Sequence, residues 1–338
     1  MEMKMIHRNL RFGIALFLAA AAFTSLSEAQ IPDNIESHLT AARKAAKFEW
    51  TGVLSRNCVA PKLGPPELGT RGTIPERSLW YAPPAQVFDN LYFLGTKFHT
   101  SWALTTSDGI ILIDTLYNYA SEPEIVDGLK TLGLDPAKVK YVLITHGHGD
   151  HDEGAKLFQD RYGSHVALGA GDWDLIEKAK FMAGGKPKRD IVVTDGQKFT
   201  LGDTTVTAVL TPGHTPGDYS LIFQVKDHGK PLTVAYASGT AFSFPYDAPH
   251  FDTFIASQKK FADAASAAGA TIVLSNHSAF DNAYTRVKLI AARKPGEPHP
   301  FEVGPAAVAD YFTVLEECAL AAEAGATTTS TESPQKSE

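Results

Sequence analysis

Ten residues constrain this chain more than any others: Thr145-His146-Gly147-His148-Gly149-Asp150-His151-Asp152-Glu153-Gly154. Four metal-capable side chains, His146, His148, Asp150 and His151, fall within six positions. They follow directly on the apolar run at 139–144, whose β-branched bias is that of a buried strand. A polar loop or helix cap would leave that density unexplained. In an extended segment, residues two apart project to the same side, so His146 and His148 reach one ion. Gly147 and Gly149 then let the chain bend, because glycine tolerates backbone angles that other residues avoid. Asp150 and His151 next open a helix and aim at a second ion. The cluster is therefore half of a two-metal site, with N and O donors that suit zinc.

The remaining donors are expected on other strand ends. His214 stands in Thr211-Pro212-Gly213-His214-Thr215-Pro216-Gly217, right after the strand pattern at 204–210, where paired Pro-Gly steps fix the backbone. His277, in Ser275-Asn276-His277-Ser278, follows the strand pattern at 271–275. Asp114 ends an apolar strand, and a buried carboxylate there needs a partner such as a metal-bound histidine. His99, His165, His228, His250 and His299 lie in turns or at single strand positions and read as solvated or hydrogen-bonded, with lining of the cleft as the alternative for His250.

Around these loops the periodicity predicts strands at 86–95, 100–106, 110–114, 139–144 and 165–168. Further strands are expected at 191–193, 197–201, 204–210, 219–225, 232–237 and 271–275. Helices are expected at 30–47, 122–132, 153–162, 172–182, 252–268, 280–292 and 305–324. A β-rich then helix-containing half is followed by a second of the same kind. That order predicts an α/β chain built as a four-layer αβ/βα sandwich, two sheets face to face with helices outside.

The ends carry other signals. Lys4, Arg8 and Arg11 precede an apolar stretch at 12–23 and a polar segment closing on Ser27-Glu28-Ala29. This is the layout of a secretory signal peptide over residues 1–29, too short in its apolar part for a span of about 20 residues. A soluble protein, periplasmic or secreted, is expected. The proline-rich passage at 60–84 reads as an extended part of an N-terminal arm (30–84), and the Ser/Thr-rich residues 327–338 as a disordered tail after a domain at 85–326. Cys58 and Cys318 are the only cysteines. In an oxidising compartment they pair; otherwise they are two separate buried thiols. A net charge of −7 argues against nucleic acid or an anionic membrane as partner and leaves a small-molecule substrate.

Thr-His-x-His-x-Asp-His at 145–151, His214 between Pro-Gly steps, the strand-end Asp114 and the late His277 together resemble the metallo-β-lactamase superfamily, over about 86–292. The resemblance implies that His146, His148 and His214 hold one zinc ion, and Asp150, His151 and His277 a second. Most two-metal hydrolases of that superfamily carry an aspartate bridging the ions in a Gly-Asp-Thr context. Here the corresponding passage is Ala237-Ser238-Gly239-Thr240-Ala241-Phe242, without a carboxylate. Zinc β-lactamases of the third subclass of class B also lack that bridge and share the six ligands. Serine commonly stands in that passage, so Gly239 is a departure from them too. The implied activity is hydrolysis of a β-lactam amide by zinc-activated water, whose pKa can fall to near 7, with Asp150 as catalytic residue and Asp114 acting from behind the ligands. Hydrolysis of another ester, lactone or amide is the alternative.

Overall fold

Twelve strands in two sheets organise the computed structural model, which describes residues 33–59 and 74–331. The first sheet runs β1 (Ala85–Phe88), β2 (Leu91–Phe93), β3 (Trp102–Thr106), β4 (Gly109–Ile113), β5 (Val139–Leu143), β6 (His165–Gly169) and β7 (Ile191–Val193), in that spatial order. Its first four strands pair antiparallel and β4 to β7 pair parallel. The second sheet contains β8 (Lys198–Leu201), β9 (Thr204–Leu210), β10 (Tyr219–Asp227), β11 (Lys230–Ala237) and β12 (Ile272–Ser275), ordered β12-β11-β10-β9-β8. Only the β11–β12 pair of this sheet is parallel.

The alternation of side chains along the strands explains the layering. Ile111, Ile113 and Leu143 of the first sheet face Leu221, Phe223, Val234 and Tyr236 of the second, forming the core between the sheets. The intervening Leu112 and Val142 point the other way, onto Ile125, Leu129, Phe158 and Trp173 of the helical segments outside. On the far face of the second sheet, Ala235 and Val273 meet Phe251, Phe254 and Phe261 of helix Ala248–Ala267 and Tyr311 and Leu315 of helix Pro305–Thr331. The result is the four-layer αβ/βα sandwich.

Several boundaries differ from the sequence expectation. The strand expected at 86–95 is broken into β1 and β2, because Asp89 and Asn90 supply a turn between them. The last helix runs on to Thr331, past the point where a tail without regular structure was expected to begin; extending an existing helix needs no new nucleus. Helix Asp33–Ala46 packs on the last helix through Ala42 and Ala46, and Cys58 is disulfide-bonded to Cys318, which decides between the two readings of the cysteines. Residues 60–73 of the proline-rich passage and the expected signal segment 1–29 lie outside the described residues. The described remainder of that passage is not wholly extended, because Arg77–Trp80 makes a helical turn that buries Trp80.

Candidate metal centre

The loops that carry the histidines leave β5, β9 and β12, and one buried carboxylate ties two of those strand ends together. Asp114, just past β4, adopts a left-handed backbone (φ 56°) that a non-glycine residue holds only where its surroundings fix it. Its Oδ1 accepts the Thr145 amide at 2.8 Å, and its Oδ2 accepts the Asn276 amide nitrogen at 2.7 Å and the Tyr236 hydroxyl at 3.1 Å. Thr145 precedes His146 and Asn276 precedes His277, so both ligand loops are anchored on one side chain. Asp114 Oδ2 also lies 3.2 Å from Nδ1 of the fully buried His151.

A second carboxylate, Asp172 at the start of helix Ala170–Lys178, clamps the other pair of loops. Its oxygens accept the Gly147 amide at 2.8 Å, the Thr215 hydroxyl at 2.7 Å and the Gly217 amide at 2.8 Å. His148 and His214 are thereby held against each other, with His148 Nδ1 and His214 Nε2 3.1 Å apart.

Two donor groups result. The donor atoms of His146, His148 and His214 lie within 4.8 Å of one another. His214 Nδ1 faces the Ala241 carbonyl at 2.6 Å and His146 Nδ1 faces the Ser238 hydroxyl at 3.3 Å. A ring nitrogen engaged in this way leaves the opposite Nε2 free to bind a metal. The second group is His99, Asp150 and His277, again within 4.8 Å. Asp150 Oδ2 is its hub, 3.5 Å from His99 Nε2, 3.6 Å from His277 Nε2 and 3.2 Å from His151 Nε2. All six residues expected from the sequence are therefore gathered in one place, and His99 stands among them. The groups adjoin, with the His146 and His151 rings 4.4 Å apart.

The electrostatics suit a cation. Burial drives His146 and His277 well below the usual histidine pKa, lowers His99 to about 4 and, with His148 beside it, takes His214 to about 3. Burial works against charge on Asp150 as well, but His151, His99 and His277 around it hold its carboxyl well below the ordinary range. Burial likewise disfavours protonated His151, yet Asp150 and Asp114 outweigh it and raise its pKa to about 10. The neutral rings of His146, His214, His99 and His277 and the ionised Asp150 are the forms that ligate metals, whereas His151 would give up a proton on binding one. Nε2 of His99 and Nε2 of His146 are buried without a hydrogen-bond partner, while the two ring nitrogens of His151 face Asp114 and Asp150 at 3.2 Å each. Each such atom costs about 1–3 kcal/mol if left unsatisfied. A divalent cation at each group removes that cost, so the residues fit the metals.

Comparison with known proteins agrees with this geometry. The profile described as the Metallo-beta-lactamase superfamily matches residues 94–227. BJP-1, a subclass B3 metallo-beta-lactamase of Bradyrhizobium japonicum, is 31% identical; the similarity covers 73% of this chain and 96% of that one, with a TM-score of 0.61. The chain belongs to the metallo-β-lactamase superfamily. Rm3 metallo-beta-lactamase is 25% identical over 69% of this chain and 90% of its own, with a TM-score of 0.58. Among curated relatives, the N-acyl homoserine lactonase AttM of Rhizobium radiobacter is 33% identical over 119 residues, 32% of this chain and 44% of its own length. The hydroxyacylglutathione hydrolase of Acidiphilium cryptum is 34% identical over 86 residues, 25% of this chain and 31% of its own. The chain thus spans less than half the length of these curated relatives.

Within this superfamily framework the Gly239 departure has a local cause. Gly239 has φ 55°, its amide donates to Asn276 at 3.0 Å, and a Cβ there would overlap the Asp218 carboxylate. Neither serine nor aspartate fits without moving Asp218. Ser238, one residue earlier, is the hydroxyl that reaches His146. From the sequence His99 had only a solvated or hydrogen-bonded role and Asp172 was not singled out, whereas for His250 a place lining the cleft was the alternative to a solvated one. His250 is paired with Asp247 at 2.5 Å and also lines, with Phe244 and Pro216, a cavity of about 290 Å³ beside His214. His299 is hydrogen-bonded as expected, stacked on Phe88 with Nε2 on the Val87 carbonyl at 2.9 Å. His165 is too, pairing with Asp190 at 3.0 Å on the surface.

Proposed function

We propose that the protein is an exported dinuclear zinc hydrolase whose reaction is opening of a β-lactam amide. The observation that carries this reading is the pair of adjoining donor groups combined with a backbone at Gly239 that leaves no room for a bridging carboxylate. Similarity over nearly the whole of BJP-1 supports the same substrate class. His146, His148 and His214 would hold one zinc ion and Asp150, His151 and His277 the other. Bound zinc supplies an activated water at neutral pH and polarises the scissile carbonyl.

The chain's own residues do the rest. Asp114 and Asp172 fix the ligand loops so that the donors need no rearrangement. Asp150, with Oδ2 at the centre of its group, is the catalytic residue: it orients the attacking water and accepts its proton. Phe244 and His250 line the cavity at His214, where the non-reacting part of a substrate would rest. Phe181, 82% exposed, stands in the loop after helix Ala170–Lys178, which we assign to the same cleft.

We assign residues 1–29 to a cleaved signal peptide and 85–326 to the hydrolase domain, with the product periplasmic or secreted. The Cys58–Cys318 disulfide supports an oxidising compartment, and no described helix is long and apolar enough to cross a membrane. A second reading, hydrolysis of another ester, lactone or amide, is favoured by the partial matches to the N-acyl homoserine lactonase AttM and the hydroxyacylglutathione hydrolase. Zinc-loaded protein assayed against a penicillin, a cephalosporin, a carbapenem and an N-acyl homoserine lactone separates the two. β-Lactam opening well above lactone opening is expected; lactone turnover with inert β-lactams would overturn the substrate assignment.

A further inference from the structure

The geometry points to His99 as a fourth protein donor to the second metal, alongside Asp150, His151 and His277. This rests on the two-ion reading above and adds a ligand to it. His99 lies in the loop between β2 and β3, in Lys97-Phe98-His99-Thr100, far in sequence from the other donors. Its side chain is 7% exposed, and its Nε2, aimed at Asp150 Oδ2 from 3.5 Å, is buried without a hydrogen-bond partner.

The backbone builds this placement. His99 pairs with His277 as an antiparallel bridge, with the Thr100 amide on the Asn276 carbonyl at 2.7 Å and the Ser278 amide on the Phe98 carbonyl at 2.8 Å. The Thr96 hydroxyl accepts the His99 amide at 2.9 Å and tightens the turn. Two imidazoles are thus presented side by side, their rings 5.0 Å apart, while the Tyr117 ring closes over His99 at 5.3 Å.

The spacing admits a shared ion: the donor atoms of His99, Asp150 and His277 all lie within 4.8 Å of one another, and His151 Nε2 reaches the group through Asp150 Oδ2. Zinc bonds of about 2.0–2.1 Å at tetrahedral angles put neighbouring donors roughly 3.3–3.4 Å apart. Around Asp150 Oδ2 the separations are 3.2 Å to His151, 3.5 Å to His99 and 3.6 Å to His277. Packing alone would leave His99 Nε2 unsatisfied in the interior, at a cost that a well-ordered fold avoids. Four protein donors make a closed shell, as in structural zinc sites, whereas the three-histidine group keeps an open position. With His151 as the fourth donor, the second group would enclose its ion more completely than the three-histidine group, which would leave a position for solvent or substrate.

Cobalt(II) titration of the metal-stripped full chain, read by ligand-field absorption and chelator competition, tests this without an activity assay. The wild type is expected to take two equivalents. His99→Ala should bind the first with unchanged affinity, which also reports that it is folded. It should bind the second at least about 10-fold more weakly, the lower end of what losing even an outer partner costs, with an altered visible spectrum. His99→Gln, which can still donate a hydrogen bond to Asp150, should not restore the wild-type spectrum or affinity. Wild-type second-site binding in His99→Ala, or full rescue by His99→Gln, would overturn the ligand role and leave the two-ion reading standing. A wild type that takes only one equivalent would overturn both.

Discussion

Replacing Asp172 by alanine should loosen the metal centre without touching a metal ligand. Its buried carboxylate accepts three hydrogen bonds, from the Gly147 amide, the Thr215 hydroxyl and the Gly217 amide. Asp172→Ala leaves those three donors facing a cavity that one water can only partly satisfy. At about 1–3 kcal/mol per unsatisfied buried group the gross loss is roughly 3–9 kcal/mol before any water enters. Part is returned because the charge is no longer buried: burial is the largest influence on this carboxyl and raises its pKa. A net loss of about 3 kcal/mol is expected, read by urea denaturation of the metal-free protein. Asp172→Asn, which keeps one acceptor oxygen and carries no charge, should fall between. Because the clamp holds His148 and His214 together, the three-histidine group should lose metal affinity by about 10–100-fold, as for other outer partners of ligands. A loss below about 1 kcal/mol with unaltered metal affinity would refute the clamp.

Two more outcomes are expected from the same structure. Gly239→Ser places a side chain at φ 55° and against Asp218, so it should destabilise the fold by at least about 2 kcal/mol and weaken metal binding at the neighbouring His214; an unshifted melting temperature would refute this. Glu124 is fully buried, one oxygen on the Ala82 amide and the other unpartnered, and burial raises its pKa from 4.5 to about 8. Between those values the folded chain keeps a proton that the unfolded chain has released. Its contribution is therefore full below pH 4.5 and is lost, by up to about 1.4 kcal/mol per pH unit, as pH rises towards 8. Glu124→Gln should flatten that decline in denaturation curves between pH 5 and 8, and identical slopes in the two proteins would refute the assignment.

Local pattern and long-range geometry divide what could be read from the chain. The layering was legible because the strand at 139–144 and its neighbours alternate or run apolar in ways that only a two-sheet packing satisfies. His146, His148, Asp150 and His151 advertise themselves by density, and His214 and His277 by their position at strand ends. His99 gives no such signal: it is one histidine in a turn, and its meaning comes from a bridge to His277, far along the chain. Asp172 reads as an ordinary first-turn acid until Gly147 and Gly217 are folded against it. The cysteine pair stayed open for the same reason, since 260 residues separate Cys58 from Cys318 and only the packing of helix Pro305–Thr331 brings them together. Gly239 was visible as a departure, but its cause, the Asp218 carboxylate, was not.

Stepwise restoration of zinc to the chelated protein, with bound metal and cephalosporin opening measured on the same samples, shows whether two ions are held and whether turnover needs them. Two zinc ions per chain are expected at saturation, with turnover abolished by chelation and returning as zinc is restored. Saturation at one ion per chain or fewer, or turnover that survives complete metal removal, would contradict the assignment as a dinuclear zinc hydrolase.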